Sequence, residues 1–395
     1  MIHLKSLNHY FPEFGTGCVA KALRIQNGNI LIDTLVEGYA QIKPYPMEME
    51  EDCLFDIASL TKTITAILVY KAVEKNLFSL TDHITDIDDR FVHLKNVTIL
   101  DLLMHATDIW TNGYLGDAKS KEEFDTILFS SYVKEDSRRY VDVHYMILAT
   151  VLERVYGISY RKIITRDIIE PLQLKHTVFE VKESDKLVSC NYQVIDGKEV
   201  TEIVNVPHDT KARVASKYGF TTGHAGIFTT ASDYLKILIS LIDHKEVLLK
   251  QETIDMMLSH EDYGIYLNMC ILNYAKEHSI PMIRTNDVHL QLQYLLSRLE
   301  NPNDFLDKLV KPYNYASMRY QNPYKEIVTI PFDTSEHTVL FSGYTGPIYL
   351  MDLEKQIIIL VMTNVCHMST KDRKERLNAI LHMVEELYEE ELKRK

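Results

Sequence analysis

The chain has 395 residues and 45.8 kDa, with 43 Lys and Arg against 56 Asp and Glu, a formal net charge of −13. Apolar residues make up 46% and charged ones 25%, which excludes wholesale disorder and leaves apolar material for one large core or two medium ones. Net acidity argues against nucleic acid as the main partner, because phosphate binding needs a basic footprint. The longest apolar run, near 357–362, is far short of the roughly 20 residues of a membrane helix. The start, Met1-Ile2-His3-Leu4-Lys5-Ser6, has no apolar h-region, so no membrane partner is expected and a cytoplasmic location is. The cysteines, Cys18, Cys53, Cys190, Cys270 and Cys366, are scattered without a CxxC pair and read as reduced thiols outside any zinc site or disulfide framework.

Along the chain, Cys18–Ile25 reads as a strand, Asn27-Gly28-Asn29 as turn chemistry and Ile30–Ile32 as the returning strand. From Ser59 to Glu74 the apolar spacing turns helical. Helical patterns follow at Ile99–Met104, Val143–Val155, Tyr160–Ile168, Ala231–Leu241, Glu252–Met257 and Val288–Leu299. Short β-like runs return at Glu326–Ile330, Val339–Phe341, Pro347–Met351 and Gln356–Met362, before a long amphipathic helix over Lys371–Lys393. Strands at both ends imply one unit over 1–395. Its α/β domain would be built from 11–80 plus 310–395, with a mainly helical insertion over 81–309.

Ser-x-x-Lys occurs three times, at Ser59/Lys62, Ser131/Lys134 and Ser159/Lys162. On a helix this spacing puts the lysine one turn above the serine, on the same face. A lysine desolvated there loses part of its charge preference and can take the serine's proton. Ser131 leads into Glu135-Asp136 and reads as a solvated stretch, while Ser159 follows Gly157 and reads as a helix cap. Ser59 alone opens an apolar helix, where its N–H would point out of a positive helix end, as an oxyanion donor should.

Phe55-Asp56-Ile57-Ala58-Ser59-Leu60-Thr61-Lys62-Thr63 resembles the nucleophile segment of the class C β-lactamase-like family of serine hydrolases, which includes D-Ala-D-Ala peptidases and esterases. Asp101–Thr107 resembles that family's "LLTHTSG" stretch, and Tyr140-Val141-Asp142 its Tyr-x-Asn segment. Pro171-Leu172-Gln173-Leu174 resembles "PLGM"; His208–Ala212 and Gly223–Ala231 resemble the "HDxNA … GHAGLFSTA" block of one branch; Thr363–His367 resembles "TNRVH". These matches run in family order from about residue 15 to 370. The resemblance implies a β-lactamase/penicillin-binding-protein-like α/β (α+β) fold, an antiparallel sheet flanked by N- and C-terminal helices with an inserted all-helical domain. It also implies that Tyr140 serves as general base or proton shuttle opposite Ser59, beside Arg138 and Arg139, with Asp142 where many members have Asn.

The family's third motif, Lys-Thr-Gly or His-Thr-Gly on an edge strand, aligns without gaps on Phe341–Asp352. Phe341 then stands where the cation should be; a rival register places Tyr344-Thr345-Gly346 there, and neither supplies a cation. Ser342, Gly343 and Tyr344 fall in the binding wall, and the Tyr344 N–H pairs with that of Ser59 as an oxyanion hole. His337 is a candidate replacement imidazole. His224 and His105 read as packing or cleft-side histidines, and His208-Asp209 as a loop brace, with a pair in which Asp209 fixes the imidazole as the alternative. His260-Glu261 lacks the second histidine of HExxH, and no phosphate-binding glycine loop occurs, so neither metal nor nucleotide cofactor is expected. The expectation is a serine hydrolase acting on a small-molecule ester or amide through an acyl-Ser59 intermediate, esterase-like rather than a true β-lactamase. The alternatives are a retired member that binds in the same cleft, or an acyltransferase. The sequence says nothing about oligomeric state.

Overall fold

A computed structural model describes residues 4–135, 140–183, 185–190, 193–195, 198–200, 205–259, 274–276, 278–282, 288–302, 305, 334–335, 338–368, 371 and 373–394. The expected strand at Glu326–Ile330, and Arg138, Arg139, His260, Glu261, Cys270 and His337, lie outside the described residues.

Strands β1 (Gly17–Gln26) and β2 (Asn29–Gln41) form a hairpin. Asn27 and Gly28 both take positive φ, 51° and 76°, the two-residue turn that matches strand twist. Short strands β3 (Met47–Glu48) and β4 (Phe55–Asp56) lead to α1 (Thr61–Glu74). Next come α2 (Ile84–Ile87), α3 (Ile99–Leu103), β5 (Asp108–Trp110), α4 (Lys121–Phe129), β6 (Tyr132–Glu135), α5 (Asp142–Tyr156) and α6 (Tyr160–Ile164). They are followed by β7 (Gln193–Ile195), β8 (Lys198–Val200), α7 (Thr210–Lys217), β9 (Phe228–Thr229), α8 (Ala231–Ile239), α9 (Gln251–Ser259) and α10 (Val288–Leu296). The chain closes with β10 (Thr338–Ser342), β11 (Ile348–Asp352), β12 (Ile357–Thr363) and α11 (Arg373–Lys393).

The fold is the expected α/β class. Both chain ends build one antiparallel sheet in the order β10-β11-β12-β1-β2-β3. Every residue of β11 and β12 is buried, so helices must cover both faces. Lys21 and Arg24 point to opposite faces of β1. Lys21 bonds Glu51, which also meets Ser232 of α8, whereas Arg24 pairs with Glu391 of α11. The middle of the chain is not all-helical: β5 pairs with β6 and β7 with β8.

Helix α1 is rich in β-branched residues, yet eleven of its fourteen residues are buried. Burial, not propensity, makes it helical. It packs against α5 and α6, and its Thr63 hydroxyl meets the Tyr349 hydroxyl of β11 at 3.1 Å. That fixes the start of α1 against the sheet, where the Ser59 turn lies.

Candidate active site

Ser59 sits in a 3₁₀ turn, Ala58–Leu60, which runs straight into α1. Ala58 is held at φ 43°, a conformation that costs a non-glycine residue energy. The turn is held by buried Asp56, whose Oδ1 accepts the Ala58 N–H at 2.9 Å.

Two side chains meet at the half-buried serine. Lys62 Nζ donates to Ser59 Oγ at 3.1 Å and to Asp142 Oδ1 at 2.8 Å, and the His224 carbonyl lies 3.4 Å away. Tyr140 Oη donates to Ser59 Oγ at 3.1 Å, and the lysine nitrogen lies 4.9 Å from the centre of the tyrosine ring. Asp142 is the first residue of α5, where the helix dipole favours an anion.

Lys62 is fully buried. Burial works against its charge, but attraction to Asp142 and Tyr140 outweighs it and lifts its pKa above the ordinary lysine value. That direction favours the ammonium and runs against the expectation of a partly neutral base: desolvation was foreseen, the carboxylate 2.8 Å away was not. Asp142 answers in kind. Burial alone would raise it, yet Lys62, His224 and Lys211 hold it well below the usual carboxylate range.

Asp209 Oδ1 bonds His224 Nε2 at 2.9 Å. The same oxygen caps α7 by accepting the Lys211 and Ala212 amides, both at 2.9 Å. Lys211 Nζ then bridges Asp209 Oδ2 at 2.8 Å and Asp142 Oδ2 at 3.3 Å. Asp142, Asp209 and His224 hold ligand atoms within 4.8 Å of one another, a possible cation site. The ammonium groups of Lys62 and Lys211 already sit against both carboxylates, which leaves this trio a poor fit for a metal.

The third wall is the end of β10. Phe341 is buried and packs edge-on to Tyr349, and Ser342, Gly343 and Tyr344 line the same cavity as Ser59, Tyr140 and Asp142. Tyr344 stacks on His208, with ring centres 5.0 Å apart. In the rival register, Thr345 instead turns its hydroxyl onto the Asp56 carbonyl at 2.7 Å. The cavity is about 410 Å³, within the range of small-molecule sites.

A cation does reach this wall, from a residue the sequence reading missed. Arg376 of α11 lines the cavity, lies 5.6 Å from the Tyr344 ring centre and is 7% exposed. Nη1 donates to Cys366 Sγ at 3.5 Å, and Nε has no hydrogen-bond partner among the described residues. The available signal was an arginine set beside Leu377 and Ile380 on the buried face of the last helix. Lys211, also missed, was legible as the lysine inside the His208–Ala212 block.

His105 packs behind the site. Its ring lies 4.4 Å from that of Tyr140, and its Nδ1 is 2.7 Å from Nδ1 of His144. The other Ser-x-x-Lys pairs stay apart from the cavity. Ser131 is buried, not solvated, with its hydroxyl on the Leu128 carbonyl; Ser159 occupies the N-cap of α6.

Among the described residues no helix is long and apolar enough to cross a membrane. The chain is 23% identical over 287 residues to "Putative penicillin-binding protein PbpX" of Bacillus subtilis (strain 168), covering 70% of this chain and 68% of that one. It is 26% identical over 129 residues to teichoic acid D-alanine hydrolase of Staphylococcus aureus, spanning only 32% of either chain. Among solved structures, EstCE1, a hydrolase with promiscuous acyltransferase activity, superposes with a TM-score of 0.63 at 15% identity, covering 96% of both chains. The Beta-lactamase family model matches residues 20–382. With the fold, the order of its motifs and that match in agreement, the chain belongs to the Beta-lactamase family.

Proposed function

We propose that this protein is a serine hydrolase that cleaves a small-molecule ester or amide through an acyl-Ser59 intermediate, with neutral esters preferred over β-lactams. The observation that carries the proposal is the placing of Ser59 Oγ at 3.1 Å from both Lys62 Nζ and Tyr140 Oη. A nucleophile and a proton acceptor in contact, the acceptor oriented by a third group, are the minimum for acyl transfer. The same contact argues against the retired-member reading.

Because Lys62 is charged, it has no lone pair with which to accept a proton. Tyr140 therefore works as its phenolate: once its own proton has gone to solvent, Oη takes the Ser59 proton as Oγ attacks the carbonyl carbon, and the ammonium of Lys62 stabilises the anionic partner. The Ser59 and Tyr344 amides stabilise the carbonyl oxygen as it becomes negative. As the bond to the leaving group breaks, Tyr140 returns the proton to the departing oxygen or nitrogen. Water then repeats the cycle and releases the acid; an alcohol in its place gives acyl transfer, the activity named for EstCE1. The partial similarity to a teichoic acid D-alanine hydrolase supports including an aminoacyl ester among the substrates tried.

The preference for neutral esters rests on Phe341, which leaves β10 itself without a cation; Arg376, which reaches the wall from α11, opposes that preference and limits it. Comparing kcat/KM for p-nitrophenyl butyrate and nitrocefin tests it. The butyrate should be turned over faster; rapid nitrocefin hydrolysis with negligible esterase activity would overturn the preference, and silence on both would favour the retired reading.

A further inference from the structure

We infer that Asp56 is a positioning residue for acylation: its ionised carboxylate pins the turn that carries Ser59 to the segment that carries the opposite rim, and protonation releases one of them. The inference rests on Ser59 being the nucleophile.

Asp56 is buried in β4, which pairs with β9. It holds three parts of the site at once. Oδ1 accepts the Ala58 N–H at 2.9 Å and so fixes the positive-φ residue just before Ser59. Oδ2 accepts the His208 N–H at 2.7 Å, and that histidine's ring stacks on Tyr344. Its backbone carbonyl takes the Thr345 hydroxyl at 2.7 Å. A carboxylate can serve both amides; a carboxylic acid cannot, because its O–H faces an N–H donor on whichever oxygen it sits.

The charged and titratable groups that face Asp56 are His208, Asp209 and Arg213 from the segment entering α7 and from α7 itself, and Cys190. Burial dominates. The two amides and Arg213 oppose it, Asp209 reinforces it, and the carboxyl is pushed up to about 6. The ionised, position-holding form therefore forms as pH rises through that value.

The experiment measures the rate at which a fluorophosphonate modifies the intact protein between pH 5 and 8, for the native chain and Asp56→Asn. The native rate should fall about tenfold from the plateau to pH 5, as a single group with a pKa near 6 requires. The variant should be slower at neutral pH, by about tenfold or more, and flat over the same range. A flat native profile, or the same acid limb in Asp56→Asn, would overturn the inference alone. A native protein unmodified at every pH would overturn the reading of Ser59 as well. Thermal unfolding supplies a readout free of catalysis. A carboxyl whose pKa is raised on folding adds stability below its unfolded value, near 3.9, and loses it as pH rises through the folded one. The native melting temperature should thus fall relative to that of Asp56→Asn between about pH 4 and 6; a constant difference would contradict the titration.

Discussion

In the proposed mechanism Lys62 works by keeping its proton. Its ammonium touches Ser59, Asp142 and the ring of Tyr140, so removing it strips the serine–tyrosine pair of its cation and leaves Asp142 to the Lys211 ammonium. Lys62→Met should lower the acylation rate by about 10²–10⁴-fold, the range for loss of a group in direct proton-transfer contact. Stopped-flow acylation with a chromogenic ester measures this, and near-native acylation would reduce Lys62 to a structural residue. Because its pKa is raised, the native ammonium survives until pH exceeds the ordinary lysine value near 10.5; loss of the proton from Lys62 should cause no fall in rate between pH 8 and 10. Arg376 makes a different kind of prediction. Its Nε has no described partner, and a charge-assisted bond to a substrate carboxylate would contribute roughly 1.5–3 kcal/mol. Arg376→Ala should raise KM for carboxylate-bearing esters about tenfold to hundredfold while leaving p-nitrophenyl butyrate nearly unchanged. Equal effects on both substrates would mean that the arginine only packs the wall.

At the scale of elements, the site depends on how closely β10 approaches the Ser59 turn. A Cβ on Gly343 would lie 2.7 Å from the Ile57 carbonyl oxygen and 3.4 Å from the Ala58 Cβ. The nearest obstacle is backbone, which cannot swing aside. Gly343→Ala should cost about 1–3 kcal/mol in urea unfolding, the usual range for overpacking, and should slow Ser59 modification by pushing the strand off the turn. Wild-type behaviour on both counts would mean that strand and turn do not form one wall. These elements were largely legible in the sequence: runs such as Gln356–Met362 are apolar throughout because both faces of the central strands are covered, and Asn27-Gly28 carries its own turn signal. Two short antiparallel strand pairs in the helical region escaped notice. Strands of three or four residues, β5 to β8, are too brief for alternation to stand out from neighbouring helical spacing.

Across the whole molecule, strands from residues 17–48 and 338–363 form one sheet, and Ser59, Tyr140 and the Ser342–Tyr344 wall converge from three distant stretches of chain. The serine, lysine, tyrosine and aspartate could be read from ordered motifs. Asp56 and Arg376 could not be assigned this way, because their roles come from burial and from partners far away in sequence: Asp56 bonds His208 and Arg376 faces Tyr344. The raised pKa of Lys62 was not foreseen for the same reason, since a carboxylate eighty positions away supports its charge. The central claim is that this convergence makes one serine a nucleophile. The most direct measurement is peptide mass mapping of the fluorophosphonate-treated protein, on the native chain and on Ser59→Ala. A single adduct on the Ser59 peptide, absent from the variant, is the predicted result; an adduct that persists in Ser59→Ala, or lies on Ser131 or Ser159, would contradict it.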